Sequence, residues 1–309
     1  MPALAFDIVL GVLICAVALG AVAARDLLAS IVFYIVYGAL LAIAWVRLGS
    51  VDVALAEAAI GAGLTGILLI GAAARLKPDR GGGAKKPLLA SAVPFAACAV
   101  IVAILLVAVH GLYRGAAGLA PLVEQNLALS GVSNPVTAVL LNFRAYDTLL
   151  ETVVLVIALV AVWSLTPDRF WGGVPGLRQH ARADGVLAHF GRLLPAVGVL
   201  VAIHLLWAGT HAPGGAFQAG TVLAAVWLLV AMAGLTDAPA VSDRRLRLLI
   251  IAGPMVFLLV ASAGAVAGTF LGYPPEAAIY LIVTIEVALT VSIAATLAML
   301  VLGVPRRAP

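Results

Sequence analysis

Nine stretches of roughly 20 mostly apolar residues follow one another along this 309-residue chain, and that recurrence limits what it can fold into. A helix of that length crosses about 30 Å of hydrocarbon. Inside hydrocarbon every backbone N–H and C=O must find its partner within the protein, which excludes open sheets and lipid-exposed irregular loops. The runs cover residues 3–23, 28–46, 51–75, 89–109, 147–165, 193–209, 217–236, 247–270 and 277–302. The expected fold is therefore all-α: a polytopic membrane protein with about nine transmembrane helices. A composition of 64% hydrophobic and 10% charged residues agrees. No basic segment precedes the first run, and it continues into further apolar sequence, so it reads as a span and not as a cleaved signal peptide.

The basic residues set the orientation. If nine spans alternate, Arg25, the Arg75 to Lys86 stretch, the 166–192 loop, Arg244, Arg245, Arg247 and the tail Arg306 and Arg307 all fall on one side. Only Arg47, Arg114 and Arg144 of the 18 lysines and arginines fall on the other. The positive-inside rule then puts the N-terminus outside and the C-terminus in the cytoplasm, in the cell's inner membrane. An isoelectric point near 9.3 would suggest a nucleic-acid partner in a soluble protein. Here the loop distribution accounts for it, and no nucleic acid is expected.

Two polar connections divide the chain. Lys77 to Pro87 (KPDRGGGAKKP) is a flexible basic linker after three spans, and Thr166 to Arg192 is a second break rich in Pro and Gly. Phe170 and Trp171 in the latter suit the headgroup level. The resulting modules are residues 1–80, 88–170 and 190–305, with three, two and four spans. Between them, Gly111 to Tyr146 is longer than a turn, and Asn134-Pro135 there reads as the start of a short amphipathic or re-entrant helix. The small residues of ALAEAAIGAGLTG in the third span, and Gly264 and Gly268 in the eighth, are expected to let helices approach closely.

Three glutamates, Glu57, Glu151 and Glu286, lie inside apolar runs. A carboxyl group in hydrocarbon costs at least a few kcal/mol, so such residues face a protein interior or a wetted path. Glu57 follows Asp52 by five residues, roughly 8 Å along the helix. Arg144, Asp147 and Glu151 are spaced i, i+3, i+7 and share one face. That arrangement suits proton passage from the outer interface or, alternatively, a helix cap with a salt bridge. Glu57 and Glu151 enter from the same side at similar depth and can be neighbours. Glu286 stands near mid-span with no basic residue nearby, as a locking acid or as part of a path. His204 and His211, two turns apart, flank a Pro213-Gly214-Gly215 break after which Phe217, Gln218 and Gly220 restart the helix. Backbone freed by such a break is tolerated in a membrane only under protein or water, and a histidine beside it can titrate near neutrality.

Other chemistry is not signalled. Cys15 and Cys98 are isolated and read as apolar filler. The two histidines lack further ligands at metal spacing. No Walker loop, GxGxxG after a strand, CxxC cluster or GxSxG occurs, so no nucleotide, flavin or iron–sulfur cofactor and no enzymatic activity are expected.

HAPGGAFQAG resembles the signature of the MrpB/MnhB family of multisubunit cation/proton antiporters, His-x-x-Pro-Gly-Gly-Gly-Phe-x-Gly-Gly. His211, Pro213, Gly214, Gly215, Phe217 and Gly220 match it, while Ala216 and Ala219 replace two glycines. VDVALAEAAIGAGLTG resembles the MbhD-type domain of membrane-bound hydrogenase complexes, and NPVTAVLLNFRAYDTLLETVVL the MbhE-like segment that closes MrpA. The resemblance implies three fused modules: MbhD-like (1–80), MbhE-like (88–170) and MrpB-like (190–305). It also implies a hetero-oligomeric membrane complex related to the proton-pumping arm of respiratory complex I. Glu57 and Glu151 match acidic positions of the related domains. Large subunits of such complexes carry membrane-embedded lysine–glutamate pairs. Here the three lysines, Lys77, Lys85 and Lys86, all lie in one polar linker. The implied role is an accessory or ion-path subunit of an Mrp-type Na⁺/H⁺ antiporter. The alternatives are the ion-translocating arm of a hydrogenase or related redox complex, and a structural spacer.

Overall fold

The computed structural model describes residues 2–74, 76, 88–111, 118–176, 182, 184–266 and 268–308. The Lys77 to Pro87 linker lies outside the described residues. Among the described residues, nine long helices follow the nine apolar runs: α1 Pro2–Ala23, α2 Leu27–Arg47, α3 Val51–Ala73, α4 Leu88–Gly111, α5 Ala145–Ser164, α6 Val186–Ala208, α7 Ala216–Met232, α8 Arg244–Val266 and α9 Ala278–Leu302. Among the described residues seven of them are long and apolar enough to cross a membrane, and α7 and the Phe95–Gly111 part of α4 are shorter apolar helices. The protein is an all-α, multi-pass membrane protein.

α9 is the hub. α7, α8 and α5 pack around it, α6 packs on α7, and α1, α2 and α3 form a second group that meets α7 and α9 through α3. Burial follows from that order: Ile282, Ile285, Leu289 and Met299 of α9 are enclosed, whereas α1 keeps most of its apolar side chains exposed. Pro254 inside α8 deprives the Ile250 carbonyl of its i→i−4 partner. The Ser292 hydroxyl of α9 donates to that carbonyl and so binds the two helices at the gap.

The small residues of α3 act as expected, since a Cβ at Gly38 of α2 would meet the Ala62 backbone at 3.0 Å. Gly264 and Gly268 do not. α8 ends at Val266, so the pair shares no helix, and Gly264 packs against its own following turn at Thr269 and Gly272.

α3 is not uniform. Its Glu57–Leu64 stretch is π-helical, between α-helical Val51–Ala56 and Thr65–Ala73. The expected helix after Asn134-Pro135 forms as Pro135–Ala138, with the Asn134 side chain accepting from the Val136 N–H, and continues as a π-helical turn, Val139–Phe143, into α5.

The loops gather at two ends. At one end a short antiparallel pair joins Val174–Pro175 to Pro305–Arg307, and Arg307 makes two hydrogen bonds to Asp237 in the α7–α8 loop. At the other, Arg47 pairs with Asp7, and the 133–134 segment bonds the α6–α7 connection.

Candidate functional site

The α6–α7 connection is where the chain departs furthest from helix inside the bundle. α6 stops at Ala208, and α7 restarts after Gly215. Gly215 has φ 119°, a conformation nearly confined to glycine, and a Cβ at Gly214 would collide with the Leu205 carbonyl. Leu205 itself accepts from the Gly209 and Gly215 amides. His211 and Ala212 donate locally to the Ala208 carbonyl, and other backbone groups of the connection are satisfied from distant elements. Asp52 of α3 accepts the Gly214 N–H at 3.0 Å, and Gln218 reaches back to the Asp52 carbonyl at 3.4 Å. Glu286 of α9 accepts the Ala216 N–H at the start of α7. Thr137 donates to the Gly209 carbonyl, and the Asn134 side chain donates to the Ala212 carbonyl at 2.9 Å.

Two carboxylates thus hold the positive end of one helix. The first amides of a helix lack intrahelical acceptors, and the aligned peptide dipoles favour negative charge there. Glu286 is only 3% exposed, and its second oxygen, Oε2, is buried with no hydrogen-bond partner among the described residues.

Beside the bend lies a cavity of about 270 Å³. Asp52, Glu151 and Glu286 line it, from α3, α5 and α9, together with Thr137, Thr148, Thr152 and the bend residues Gly214, Gly215, Phe217 and Gln218. Glu151 is exposed while lining it, so the cavity opens on the α5 side.

The other candidates stand apart. Glu57 is half-buried and folds over Gly61 of its own π-helical segment, so Glu151 shares its cavity with Asp52 instead. Arg144 and Asp147 form an exposed salt bridge at 2.5 Å. His204 and His211 are both exposed, His211 with its ring against the Thr210 hydroxyl at 3.1 Å. Pro213 is exposed at the outer turn of the bend, and Gly220 packs closely on Ile293 of α9. Among the described residues no three His, Cys, Asp or Glu side chains cluster as metal ligands. Asn134, Thr137, Thr148 and Thr152 are the contributors that sequence reasoning does not single out. For Asn134 the adjoining proline signals a helix start, but nothing local signals its grip on Ala212.

Residues 186–304 match the family described as a domain related to the MnhB subunit of Na⁺/H⁺ antiporter, and residues 12–78 match the MbhD family. A probable K⁺/H⁺ antiporter A/B subunit of Rhizobium meliloti is 29% identical over 170 residues, 47% of this chain and 16% of that protein. An uncharacterized protein of Methanocaldococcus jannaschii is 30% identical over 154 residues, 45% of this chain and 59% of the relative. The chain therefore spans less than two thirds of either curated relative. Among solved structures, a chain of the Mrp complex from Dietzia sp. superposes with a TM-score of 0.74 at 25% identity, over 97% of this chain and 35% of the other. A chain of the membrane-bound sulfane sulfur reductase, an archaeal respiratory membrane complex, shares the fold with a TM-score of 0.54 at 21% identity, over 68% of this chain and 98% of the other. The chain thus carries an MnhB-related region and an MbhD-like region, and its fold is that of a chain in an Mrp complex.

Proposed function

We propose that this chain is a subunit of an Mrp-type multisubunit cation/proton antiporter and that Asp52, Glu151 and Glu286 stand on its cation or proton path. The observation that carries the reading is the convergence of these three carboxylates, from three separate helices, on one cavity at the broken α6–α7 connection. Acids that only lock helices have no need to share a cavity. The MnhB-related match and the likeness to an Mrp complex support the assembly context. In this reading the chain works beside other antiporter subunits in the cell's inner membrane, N-terminus outside and C-terminus in the cytoplasm, and catalyses no covalent chemistry. Its spans contain no lysine, so it lines or supports the path and does not itself drive it. Glu57, His204, His211 and the Arg144–Asp147 pair belong to the approaches. The three-module division at 1–80, 88–170 and 190–305 is part of the same proposal, with the middle module MbhE-like.

The test is ΔpH-coupled Na⁺ and K⁺ transport in everted vesicles. Glu151→Gln should lower it at least tenfold while the complex still assembles, and Glu57→Gln should lower it as well. Wild-type transport in both variants would sink the ion-path role, and failed assembly would make the carboxylates structural. The MbhD match over residues 12–78 keeps a redox-driven arm as the second reading. Co-purification with a nickel–iron or iron–sulfur protein would establish that reading instead.

A further inference from the structure

We infer that the cavity at the bend holds one partly hydrated monovalent cation at Glu286. The inference rests on the antiporter reading and gives its path a defined stopping point.

The polar groups of the lining face the cavity mainly as acceptors. Thr137 donates its proton to the Gly209 carbonyl, Thr148 to the Leu140 carbonyl and Thr152 to the Leu149 carbonyl, so each hydroxyl oxygen keeps only lone pairs to offer. Two backbone donors of the bend are already used, Gly214 on Asp52 and Ala216 on Glu286. Gln218 spends one amide proton on the Asp52 carbonyl. An anion would find the second Gln218 amide proton and the first-turn amides of α7, but would have to sit among three carboxylates. A cation finds three carboxylates and three hydroxyl oxygens.

Glu286 supplies the independent indication. Its side chain is 3% exposed, one oxygen serves the Ala216 amide, and Oε2 is buried without a partner among the described residues. A buried carboxylate left half-satisfied requires a compensating positive charge or proton. Among the described residues no lysine, arginine or histidine lines the cavity. About 270 Å³ holds an ion with several waters, at ~30 Å³ per water. A divalent ion such as Ca²⁺ would gather six to eight oxygens closely. No such cluster of acidic side chains exists among the described residues, so the fit is to a loosely held monovalent ion.

Protons compete for the same oxygen. The titratable groups facing Glu286 across the cavity are Asp52 from α3 and Glu151 from α5, while α7 and its preceding bend contribute backbone amides and Gln218.

The test is equilibrium binding of radioactive sodium, and of rubidium for the K⁺ class, to the complex purified with the full chain. Wild type should bind one of them saturably, with binding lost as pH falls and little displacement by Mg²⁺. Glu286→Gln keeps an oxygen for the Ala216 amide, so it should assemble yet bind at least tenfold more weakly. Glu276→Gln, exposed in the α8–α9 loop, should bind as wild type. Undiminished binding in Glu286→Gln, or displacement by Mg²⁺ as effective as by Na⁺, would overturn the site. Absent binding in a wild-type complex that still transports would overturn the site and leave the antiporter reading standing. Absence of both binding and transport would remove the two together.

Discussion

The two ends of the helical bundle both hold non-helical backbone in place, and they use different groups to do it. At the tail end, Val241 and Ser242 donate to the Gly173 and Gly172 carbonyls and the Val174–Pro175 and Pro305–Arg307 strands pair, while the carboxylates of Asp237 and Asp243 accept only from amides beside them in sequence, Ala238 and Arg245. The charges there, Arg307 and Asp237, form a partly exposed pair. At the bend, amides that backbone carbonyls could equally satisfy are held by the carboxylates of Asp52 and Glu286. A charge buried where a neutral acceptor would serve costs stability without improving the hold. The excess charge at the bend is therefore best explained by what enters the cavity.

Substitution at Glu286 tests that difference most severely. Glu286→Leu strands the Ala216 N–H in an enclosed site, a penalty of about 1–3 kcal/mol, and the yield of assembled complex should fall accordingly. Glu286→Gln retains an acceptor and should restore the yield without restoring transport. If Leu and Gln behave alike in both assembly and transport, the charge at the bend has no role beyond that at the tail.

Gly215→Ala attacks the bend through its backbone. The φ of 119° costs a residue with a Cβ about 1–3 kcal/mol, and that Cβ would come 3.3 Å from the Glu286 carboxylate. Lower thermal stability and slower transport should appear together. A loss of transport at unchanged melting temperature would mean that the bend moves during turnover.

Much of this fold is legible in the apolar runs, because helix is the form in which a run of that length satisfies its own backbone in hydrocarbon. The Pro-Gly-Gly break is equally legible, being local. The partnership of carboxylates is not. Glu57 and Glu151 read as neighbours from their similar depth, but Asp52 is the α3 carboxylate that lines the cavity with Glu151, while Glu57 lies over Gly61 in the π-helical stretch. Glu286 looks solitary in sequence because its partners, Ala216 and the cavity wall, lie mostly 70 residues or more away along the chain. The Gly264 and Gly268 pair misleads in the opposite way, since its spacing is helical and α8 ends between the two.

Ser292 offers a milder test between the two ends. Its hydroxyl serves the Ile250 carbonyl that Pro254 leaves free. Ser292→Ala should cost about 1 kcal/mol in thermal unfolding of the complex and leave cation dependence untouched. Pairing it with Pro254→Ala, which restores the helical donor, should recover the loss. Failure to recover would mean that Ser292 acts through packing alone.

The smallest effect is expected at the tail. Arg307 and Asp237 make a bidentate pair with Asp237 half-exposed, so Arg307→Ala should cost at most about 1 kcal/mol. Asp237 raises the proton affinity of the guanidinium, which therefore stays charged at every neutral pH. Stability contributed by a group with a raised pKa is lost only as pH climbs through that raised value, so across the neutral range the Arg307 contribution should be flat. Salt should weaken it instead, because the pair is open to screening. Transport at the bend should show the reverse pattern, responding to pH through competition for the carboxylates and little to moderate inert salt. A tail variant that shifts the pH profile of transport would show that the two ends are coupled, and the contrast between staple and site would have to be given up.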